Sequence, residues 1–400
     1  MITHLFKLII NKRRQNFFLF LQLFISFLAL FLFFGLNLKK FSNYFKPLGY
    51  EFNNAWLVEI DLKNIPSEQR LEYAALVKQQ LQSVKEINAI SEPEFIPFNQ
   101  TGTDVKINYK GQVLKVAELR VDEAFKNVLG IKMHSGKWVF DKNSTSLTRK
   151  VVITKGLADV TFGNKSPLGK TIDLLDMANS KKIVARFVIV GVVENFRANS
   201  SADETLGYFI NTTSFGSHPD VSFLLKSDYA DQFHLLEDKI RRSISKLDLK
   251  EIEIKQNMPL SLLKKYAHKT DYIQLALAFV VFIFLIINVF VGVTGVFTYN
   301  LSKRNSEIGL RIAMGATSTA IWKQLLGETL TLTSIGILPG VLIASQLLIM
   351  QYFEPGMTTT YGILSLVMSA LFLYLLMLSC AVYPSLKASR IQPANALHED

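Results

Sequence analysis

Cysteine, histidine and charge are all scarce in this chain of 400 residues. The single cysteine, Cys380, excludes an intrachain disulfide and a cysteine-rich metal site. The six histidines lack any H-E-x-x-H spacing, so we predict no metal site. Neither a Ser/His/Asp group nor a carboxylate pair stands out, so we predict no catalytic residues. Charged residues make up only 19% of the chain, below the roughly 25% of soluble domains.

Four long apolar runs explain the low charge: 17–36, 273–298, 325–350 and 361–383. Each can cross a bilayer, which takes roughly 20 residues of helix. The first run follows Lys12-Arg13-Arg14, as a signal peptide would. It is longer than the roughly 7–15 residues of a signal core, and no A-x-A cleavage site follows. We therefore interpret it as a retained membrane anchor.

The basic residues predict an orientation. With the N-terminus in the cytoplasm, the short inner segments carry ten Lys and Arg residues, whereas the outer loop 351–360 carries only Glu354. This distribution fits the positive-inside rule and places 38–271 outside as one large domain. Much of the net charge of +11 therefore reflects membrane topology, and we expect no nucleic-acid partner.

The outer segment has the patterns of an α+β domain. Strand–helix–strand patterns occur near both of its ends, at 56–98 and 221–256. In the first, Pro66 opens the helix, and in the second we expect Ser227 to cap it. Between them lie a hairpin turning at Lys110-Gly111 and further strands at 151–153, 171–175, 183–193 and 206–210. We predict a membrane-proximal part, about 47–104 and 215–258, and a distal β-rich insertion, about 105–214.

The loop between the second and third runs predicts a helix, a turn and a second helix. Glu307 and Arg311 form an i,i+4 pair in the first helix. Gly315 favours a helix end, and Thr317 or the serine after it can cap the next helix. A short amphipathic helix between two spans suits docking into a partner protein. A charged turn that anchors two spans at the interface explains the composition as well.

Motifs in this loop, the tail and the outer segment resemble the MacB/FtsX-type ABC transporter permease family. The loop motif is RNSEIGLRIAMGAT at 304–317, and the tail motif is YPSLKASRIQPANAL at 383–397. Outer segments are similar to the MacB-type periplasmic core domain, at 125–131, 135–140, 162–163, 167–172 and 187–193. The resemblance implies an integral membrane α-helical protein with four transmembrane helices and a large α+β periplasmic domain between the first two.

Together, the patterns and the resemblance predict both the boundaries and the location. We expect a bacterial inner-membrane protein with both termini in the cytoplasm. The predicted segments are a cytoplasmic N-terminus 1–16, helix 17–37, periplasmic domain 38–271, helix 272–299, cytoplasmic coupling loop 300–324, helix 325–350, periplasmic loop 351–360, helix 361–384 and cytoplasmic tail 385–400.

The resemblance also implies a function, which is mechanotransmission. A separate ABC ATPase subunit would bind ATP and magnesium, this chain would bind no cofactor, and the loop would pass motion to the periplasmic domains. MacB itself carries its ATPase domain at the N-terminus of the same chain, whereas this sequence begins almost at once with its first span. The implied coupling residues are Arg304, Glu307, Ile308, Gly309, Leu310, Arg311, Ala313, Met314, Gly315, Ala316 and Thr317.

Several partners and roles stay open at this point. The chain is expected to form a homodimer, or a heterodimer with a similar permease, among membrane lipids, and an efflux role would add a periplasmic adaptor. Efflux or export is the preferred function. The alternatives are a lipoprotein-releasing permease like LolC/LolE, an FtsX-like activator of cell-wall hydrolases, and a scaffold without an ATPase.

The stretch FGNKSPLGKT at 162–171 ends like a phosphate-binding loop. That loop needs four residues between its glycines and runs from a strand into a helix. Here five residues separate Gly163 and Gly169, and the pattern runs from a short helix into a strand. We therefore predict a structural turn. Because no other nucleotide motif is present and the loop offers a docking helix, we expect an ATPase partner.

Two features of the third span are candidates for contacts. Glu328 lies near its inner boundary, where a carboxylate is either functional or an interfacial anchor. We interpret it as an anchor or a contact to the loop. Gly336-x-x-x-Gly340 permits close helix packing, against the first or second span or a dimer mate. Ordinary membrane-helix composition explains this spacing equally well.

Overall fold

The computed structural model of the protein describes residues 13–99, 102–141, 148–179, 182–199, 204–211, 219–249, 251–350 and 359–389. The outer loop predicted at 351–360 lies almost wholly outside these residues, as does most of the tail motif. The chain divides into two compact units. The first, helical unit combines Met1–Ser42 with Asp271–Asp400, and the second, outer unit is Asn43–Thr270.

In chain order, the helices are α1 (Arg13–Phe45), α2 (Ser67–Gln82), α3 (Phe125–Val128), α4 (Lys155–Phe162), α5 (Phe233–Ser245), α6 (Leu260–Ala267), α7 (Lys269–Ser302), α8 (Asn305–Ala313), α9 (Ser318–Ile349) and α10 (Thr359–Ser389). The strands are β1 (Ala55–Asp61), β2 (Ala89–Ser91), β3 (Thr103–Tyr109), β4 (Gln112–Val121), β5 (Met133–Gly136), β6 (Thr148–Thr154), β7 (Thr171–Leu175), β8 (Ile183–Val193), β9 (Gly207–Asn211), β10 (Asp220–Lys226) and β11 (Glu253–Pro259).

Among the described residues, four helices are long and apolar enough to cross a membrane. Their apolar stretches are Phe17–Phe45, Lys269–Tyr299, Ser318–Ile349 and Thr360–Leu386. Two of the helices extend well past the predicted spans, since α1 continues to Phe45 and α9 already begins at Ser318. Hydropathy marks only the apolar part of a helix, whereas backbone hydrogen bonding continues through its polar turns. The predicted integral membrane fold is confirmed.

The larger apolar core of the helical unit is formed by all four long helices. Leu23, Phe27 and Phe31 of α1 are fully buried in it, together with Val293 of α7 and Leu373 of α10. Much of α7 faces outward instead, where large apolar side chains such as Val280 and Val291 are exposed. An outward apolar face of this kind is what a lipid environment requires.

The first sheet of the outer unit has the strand order β11-β1-β10-β2, with antiparallel neighbours throughout. β1–α2–β2 and β10–α5–β11 are therefore two interlocked strand–helix–strand units, in which each pair of parallel strands is separated by one strand of the other unit. Trp56 lies fully buried beneath α2 and α5, and its indole nitrogen donates to Asn257 at 2.7 Å. The sequence predicted the two strand–helix–strand units, but not that their strands alternate in one sheet.

Two details of the first sheet differ from the prediction. The second strand is short because the chain leaves the sheet after Ser91, and Phe95 and Phe98 turn into the core between the sheets. The helix at 233–245 is not capped by Ser227. That side chain accepts a hydrogen bond from the backbone of Tyr229 at 3.2 Å within a turn, and α5 begins only at Phe233.

The second sheet closes on itself. Strands β8, β6, β9, β4, β3 and β7 pair in that order, β7 pairs back onto β8, and β5 adds to the outer side of β8. The β3–β4 hairpin turns at Lys110-Gly111, both with positive φ (49° and 90°), as a two-residue hairpin prefers. Buried side chains such as Phe187, Ile153 and Tyr208 fill this sheet's core.

The stretch 162–171 is a turn. The helix α4 ends where Gly163 follows Phe162, the amide of Gly169 donates to the carbonyl of Ile189 at 2.8 Å, and β7 begins at Thr171. A phosphate-binding loop would instead end at the N-terminus of a helix. The stretch therefore lacks the amide cradle for phosphates.

Candidate functional site

The candidate site is the short helix α8 with its two junctions. Arg304 occupies its N-cap position. At its other end the amide of Gly315 donates to Ile312 and that of Ala316 donates to Arg311, both at 3.0 Å. This is the pair of bonds that closes a helix through a left-handed residue, and Gly315 has a φ of 97°. The fold of the loop thus follows from the glycine in its sequence.

Four residues connect α8 to the next helix, α9, which begins at Ser318. The side chain of Thr317 accepts a hydrogen bond from the amide of Ala320 at 3.3 Å and caps α9. Because the connection is so short, the direction of α8 is tightly restricted by α9. The predicted helix, turn and helix are all present at the predicted residues.

Five side chains of this region form a closed ring of hydrogen bonds and ion pairs. Arg304 binds Glu328 through Nη1–Oε2 at 2.8 Å and Nη2–Oε1 at 3.4 Å. Arg304 also reaches Glu307 at 3.5 Å, and Glu307 binds Arg311 at 2.6 Å. Gln324 completes the ring, because it accepts from Arg311 at 3.0 Å and donates to Glu328 at 3.2 Å.

Burial divides this ring into a protected and an exposed part. The side chains of Arg304 and Glu328 are 22% and 15% exposed. Glu307 and Arg311, in contrast, are 47% and 42% exposed. Burial disfavours the charged form of Arg304, but the hydrogen bond and charge of Glu328 outweigh it and raise the pKa of the guanidinium. The guanidinium of Arg304 is therefore charged at every physiological pH.

The two faces of α8 have different environments. Ile308 is 5% exposed and packs in a small core with Leu301, Ile321 and Leu325. Leu310 and Met314 point outward, at 50% and 72% exposed. The other predicted coupling residues follow the same division. Gly309 is buried, Arg311 and Ala316 are half-buried, and Glu307, Ala313, Gly315 and Thr317 are exposed.

The two glycines of α9 face the first helix. A Cβ atom at Gly336 would lie 2.8 Å from Cδ1 of Leu23, and one at Gly340 would lie 2.6 Å from Cδ1 of Phe27. The sequence left open whether these glycines pack against the first span, the second span or a dimer mate. In the structure they pack against the first span. Only glycine allows the two helices to approach this closely.

Sequence reasoning missed one member of the site. Glu328 was expected either to anchor the helix at the interface or to contact the loop, and it contacts Arg304 of the loop. Gln324 was not singled out. The signal was available, since Gln324 and Glu328 stand at i and i+4 on one helix face. Within the described ranges, no group of three or more His, Cys, Asp or Glu side chains is arranged to hold a metal ion.

Two family models match the chain. The model described as MacB-like periplasmic core domain matches residues 25–241, and that described as FtsX-like permease C-terminal matches residues 279–393. The first covers more than half of the chain. The second contains the whole of α8, the ring of side chains and the two glycines of α9.

Similar curated proteins carry the name Macrolide export ATP-binding/permease protein MacB. That of Pasteurella multocida is 21% identical over 307 residues, which is 75% of this chain and 46% of the relative. That of Bartonella quintana is 26% identical over 291 residues, which is 70% of this chain and 42% of the relative. The chain thus spans less than half the length of these relatives.

Solved structures also resemble parts of the chain. The periplasmic region of MacB from Actinobacillus actinomycetemcomitans is 16% identical and has a TM-score of 0.36, covering 54% of this chain and 93% of its own. The extracellular domain of the ABC-type transporter YknZ from Gram-positive bacteria is 15% identical with a TM-score of 0.32, covering 50% of this chain and 100% of its own.

Proposed function

The chain belongs to the family of ABC transporter permeases that join a MacB-like periplasmic core domain to an FtsX-like permease domain, and we propose that it works by mechanotransmission. In this proposal a separate ATPase subunit binds ATP and magnesium on the cytoplasmic side. Its movement is passed by α8 to the outer domain, which handles the substrate. The chain itself contributes no catalytic residue and binds no cofactor.

The outward face of α8 is the observation that carries this proposal. Leu310 and Met314 are apolar and exposed, although this loop lies beyond the ends of the apolar stretches that would face lipid. A short helix with exposed apolar residues i and i+4 is the kind of element that inserts into a groove of another protein. We propose that this groove belongs to the ATPase subunit.

The contacts of α8 supply a path for the movement. The ring of side chains and the core around Ile308 fasten α8 to α9. Gly336 and Gly340 of α9 then pack directly against Leu23 and Phe27 of α1. Because α1 runs without a break into the first residues of the outer unit, a displacement of α9 is delivered to a segment covalently joined to that unit.

The names of the relatives favour export as the task. They are called macrolide export proteins, and we propose that this chain likewise serves efflux or export of a substrate. The proposed setting is a bacterial inner membrane with both termini in the cytoplasm. There the chain pairs with a second copy or a similar permease, and a periplasmic adaptor takes the substrate onward.

Association with the ATPase tests the proposal. The tagged full-length chain is purified in mild detergent with its ABC ATPase, and ATP turnover is measured after reconstitution. Leu310→Glu and Met314→Glu place a charge on the proposed docking face, so we expect the ATPase to dissociate and turnover to fall about tenfold or more. Leu71→Glu is the control, since Leu71 is 55% exposed on α2 of the outer unit. Normal association in both α8 variants would refute the docking role.

A further inference from the structure

The outer unit contains a cavity between its two sheets, with a volume of about 500 Å³. One side of it is formed by Glu59 of β1 and by the start of β10, and the other by the segment 92–95 and by Glu118 and Arg120 of β4. A volume of this size lies within the roughly 300–1,000 Å³ of ligand sites. The whole cavity lies within the outer unit and shares no residue with the coupling site on α8.

One edge of β10 is only half paired, and this half lines the cavity. β1 pairs with β10 along all of 220–226, whereas β2 pairs with the other edge only at 224–226. No other described strand pairs with the first half of β10 on that side. The carbonyl of Pro219 and the amide of Ser227 bond towards β1. Because the bonding direction alternates along a strand, the backbone groups of Asp220 and Ser222 point to the open edge.

The sequence explains why β2 stops short of this half. Continuing the register of β2 on β10 would place Pro93 opposite Ser222. Proline has no N–H to donate and is excluded from the middle of a paired strand. The chain instead crosses to the second sheet, where the amide of Phe95 donates to the carbonyl of Arg120 at 3.1 Å. The gap beside β10 is therefore a consequence of the sequence and leaves the width of a strand unfilled.

The residues that line the cavity are predominantly acidic. Five carboxylates line it together with one guanidinium: Glu59, Glu92, Glu94, Glu118 and Asp220, and Arg120. Two lysines outside the lining neutralise part of this charge, since Lys78 binds Glu92 at 3.0 Å and Lys255 binds Asp220. Even with both lysines counted, three cations face five carboxylates. The cavity therefore favours a cationic occupant.

Glu59 is the carboxylate that lacks a cation of its own. Its side chain shares a face of β1 with Leu57, which is buried in the core between the sheets, and it lies directly opposite Ser222 of β10. In the part of the chain that the structure describes, Glu59 makes neither a side-chain hydrogen bond nor an ion pair, while Lys255 binds Asp61 at 3.3 Å. Burial raises the pKa of Glu59, so the free domain carries a poorly stabilised carboxylate.

We propose that this gap binds an extended segment of another polypeptide, which adds as a strand beside β10 and places a lysine or arginine opposite Ser222. The amide and carbonyl of Ser222 then pair with the backbone of that residue, as in other cases of strand addition. Residues directly opposite each other share a face of a sheet, so the basic side chain lies on the face of Glu59. Two strand spacings, about 10 Å, separate the two backbones, and the two long side chains meet across this distance.

Fluorescence anisotropy with the full-length chain in mild detergent tests this inference. The probe is the fluorescein-labelled pentapeptide Val-Thr-Lys-Thr-Val with an amidated C-terminus. Three relatives of it carry glutamate in place of lysine, a methyl group on the backbone nitrogen of lysine, or a methyl group on that of the threonine before it. The lysine nitrogen faces β10 in the proposed strand, whereas the threonine nitrogen faces away. We expect saturable binding of the probe, about tenfold weaker binding of the first two relatives and nearly unchanged binding of the third.

Glu59→Gln tests the charge from the side of the protein. It should weaken binding of the lysine peptide about tenfold, as loss of one ion pair with a half-buried carboxylate does, and remove the preference for lysine over glutamate. Glu123→Gln, at an exposed position, is the control and should bind the probe normally. The thermal midpoint of each variant shows that the chain is folded.

Several results would overturn the inference. Absence of binding of the lysine peptide at millimolar concentration refutes it outright. Equal binding of the two methylated peptides excludes an added strand, and unchanged binding in Glu59→Gln excludes the cavity. Competition by n-butylammonium as strong as that by the unlabelled peptide shows a site for small cations and not for a polypeptide. No ATPase or nucleotide is present, so each result is independent of the proposed coupling through α8.

Discussion

Arg304 holds the carboxylate of Glu328 at two points, with distances of 2.8 and 3.4 Å. The two residues are separated by 24 positions and lie on either side of α8. Their ion pair therefore joins the end of α7 to the first part of α9 and closes the loop at its base. This makes α8 a fixed arm of α9 and not a flexible connection, which is what a coupling element needs.

Glu328→Gln should damage this arm. The change leaves the mostly buried guanidinium of Arg304 without its main counter-charge, at a cost of about 1–3 kcal/mol in the free energy of unfolding. Denaturant titration of the full-length chain in detergent measures that loss, and ATP turnover of the complex measures coupling. The control is Lys323→Gln, an exposed neighbour on the same helix. Equal stability of the two variants would contradict the role of the pair.

The exposed part of the ring should behave differently. Glu307 and Arg311 form an i,i+4 pair on the surface, and such pairs contribute only about 0.3–0.5 kcal/mol. Replacing both by Ala should therefore leave the unfolding free energy nearly unchanged but lower ATP turnover, because it changes the face of α8 that we propose docks on the ATPase. The same two measurements apply as for Glu328→Gln. A stability loss as large as that of Glu328→Gln would show that burial does not determine how much each side chain of the ring contributes to the free energy of unfolding.

The cost of replacing Gly315 should depend only on how well the new residue adopts the backbone conformation at this position. Its φ of 97° disfavours side chains, yet a Cβ atom there would meet nothing within 4 Å. Gly315→Val should cost about 1–2 kcal/mol through backbone strain, whereas Gly315→Asn should cost less because asparagine accepts left-handed conformations more easily. The midpoint of thermal unfolding orders the variants. If valine and asparagine are equally tolerated, the turn does not depend on this conformation.

The stability of the outer unit should respond to pH through Glu59. Burial raises the pKa of this carboxyl, and the charges of Asp220 and Asp61 raise it further against the opposing charge of Lys255. A group whose pKa is higher in the folded state binds its proton more tightly there. Its ionisation therefore lowers stability as pH rises through the folded pKa.

Glu59→Gln removes this penalty and should raise the thermal midpoint at pH 8. The gain should disappear as the pH falls below the ordinary pKa of 4.5, where the wild-type carboxyl is protonated in both states. Tryptophan fluorescence is a suitable signal, since Trp56 lies on the same strand. Glu123→Gln, an exposed position, is the control. A pH-independent effect of Glu59→Gln would contradict the assignment.

Local sequence patterns predicted most of the helices and strands. The hairpin at Lys110-Gly111, the strand 171–175 and the two strand–helix–strand units follow from alternation, spacing and turn residues. The interleaving of those units in one sheet does not. The closure of the second sheet could not be predicted, because the pairing of β7 with both β3 and β8 depends on contacts distant in sequence. The short β2 was missed for a related reason. Phe95 and Phe98 are residue types that favour strands, but here their side chains are buried in the core between the two sheets.

The candidate site shows the same limit. Gly315 and Thr317 predicted the ends of two helices because capping is a local property. The ring, in contrast, depends on how α7 and α9 lie beside each other, and this brings Arg304 to Glu328 over 24 positions. Composition also left open whether the glycines of α9 mattered at all. The structure answers this, because Leu23 and Phe27 lie where a Cβ atom on either glycine would be.

Those glycines supply the sharpest packing test. Gly340→Ala introduces a methyl group 2.6 Å from the ring of Phe27, so Phe27 or the whole of α1 must move, and overpacking of this kind costs about 1–3 kcal/mol. Gly295→Ala on α7 is the matched control, because a Cβ atom there meets nothing within 4 Å. It should stabilise the chain slightly through the higher helix propensity of alanine. Denaturant titration of the full-length chain in detergent compares the stability of the two variants. ATP turnover of the complex tests the proposed path of movement from α9 to α1. If Gly340→Ala is as stable and as active as Gly295→Ala, close packing of these helices is not needed for either property.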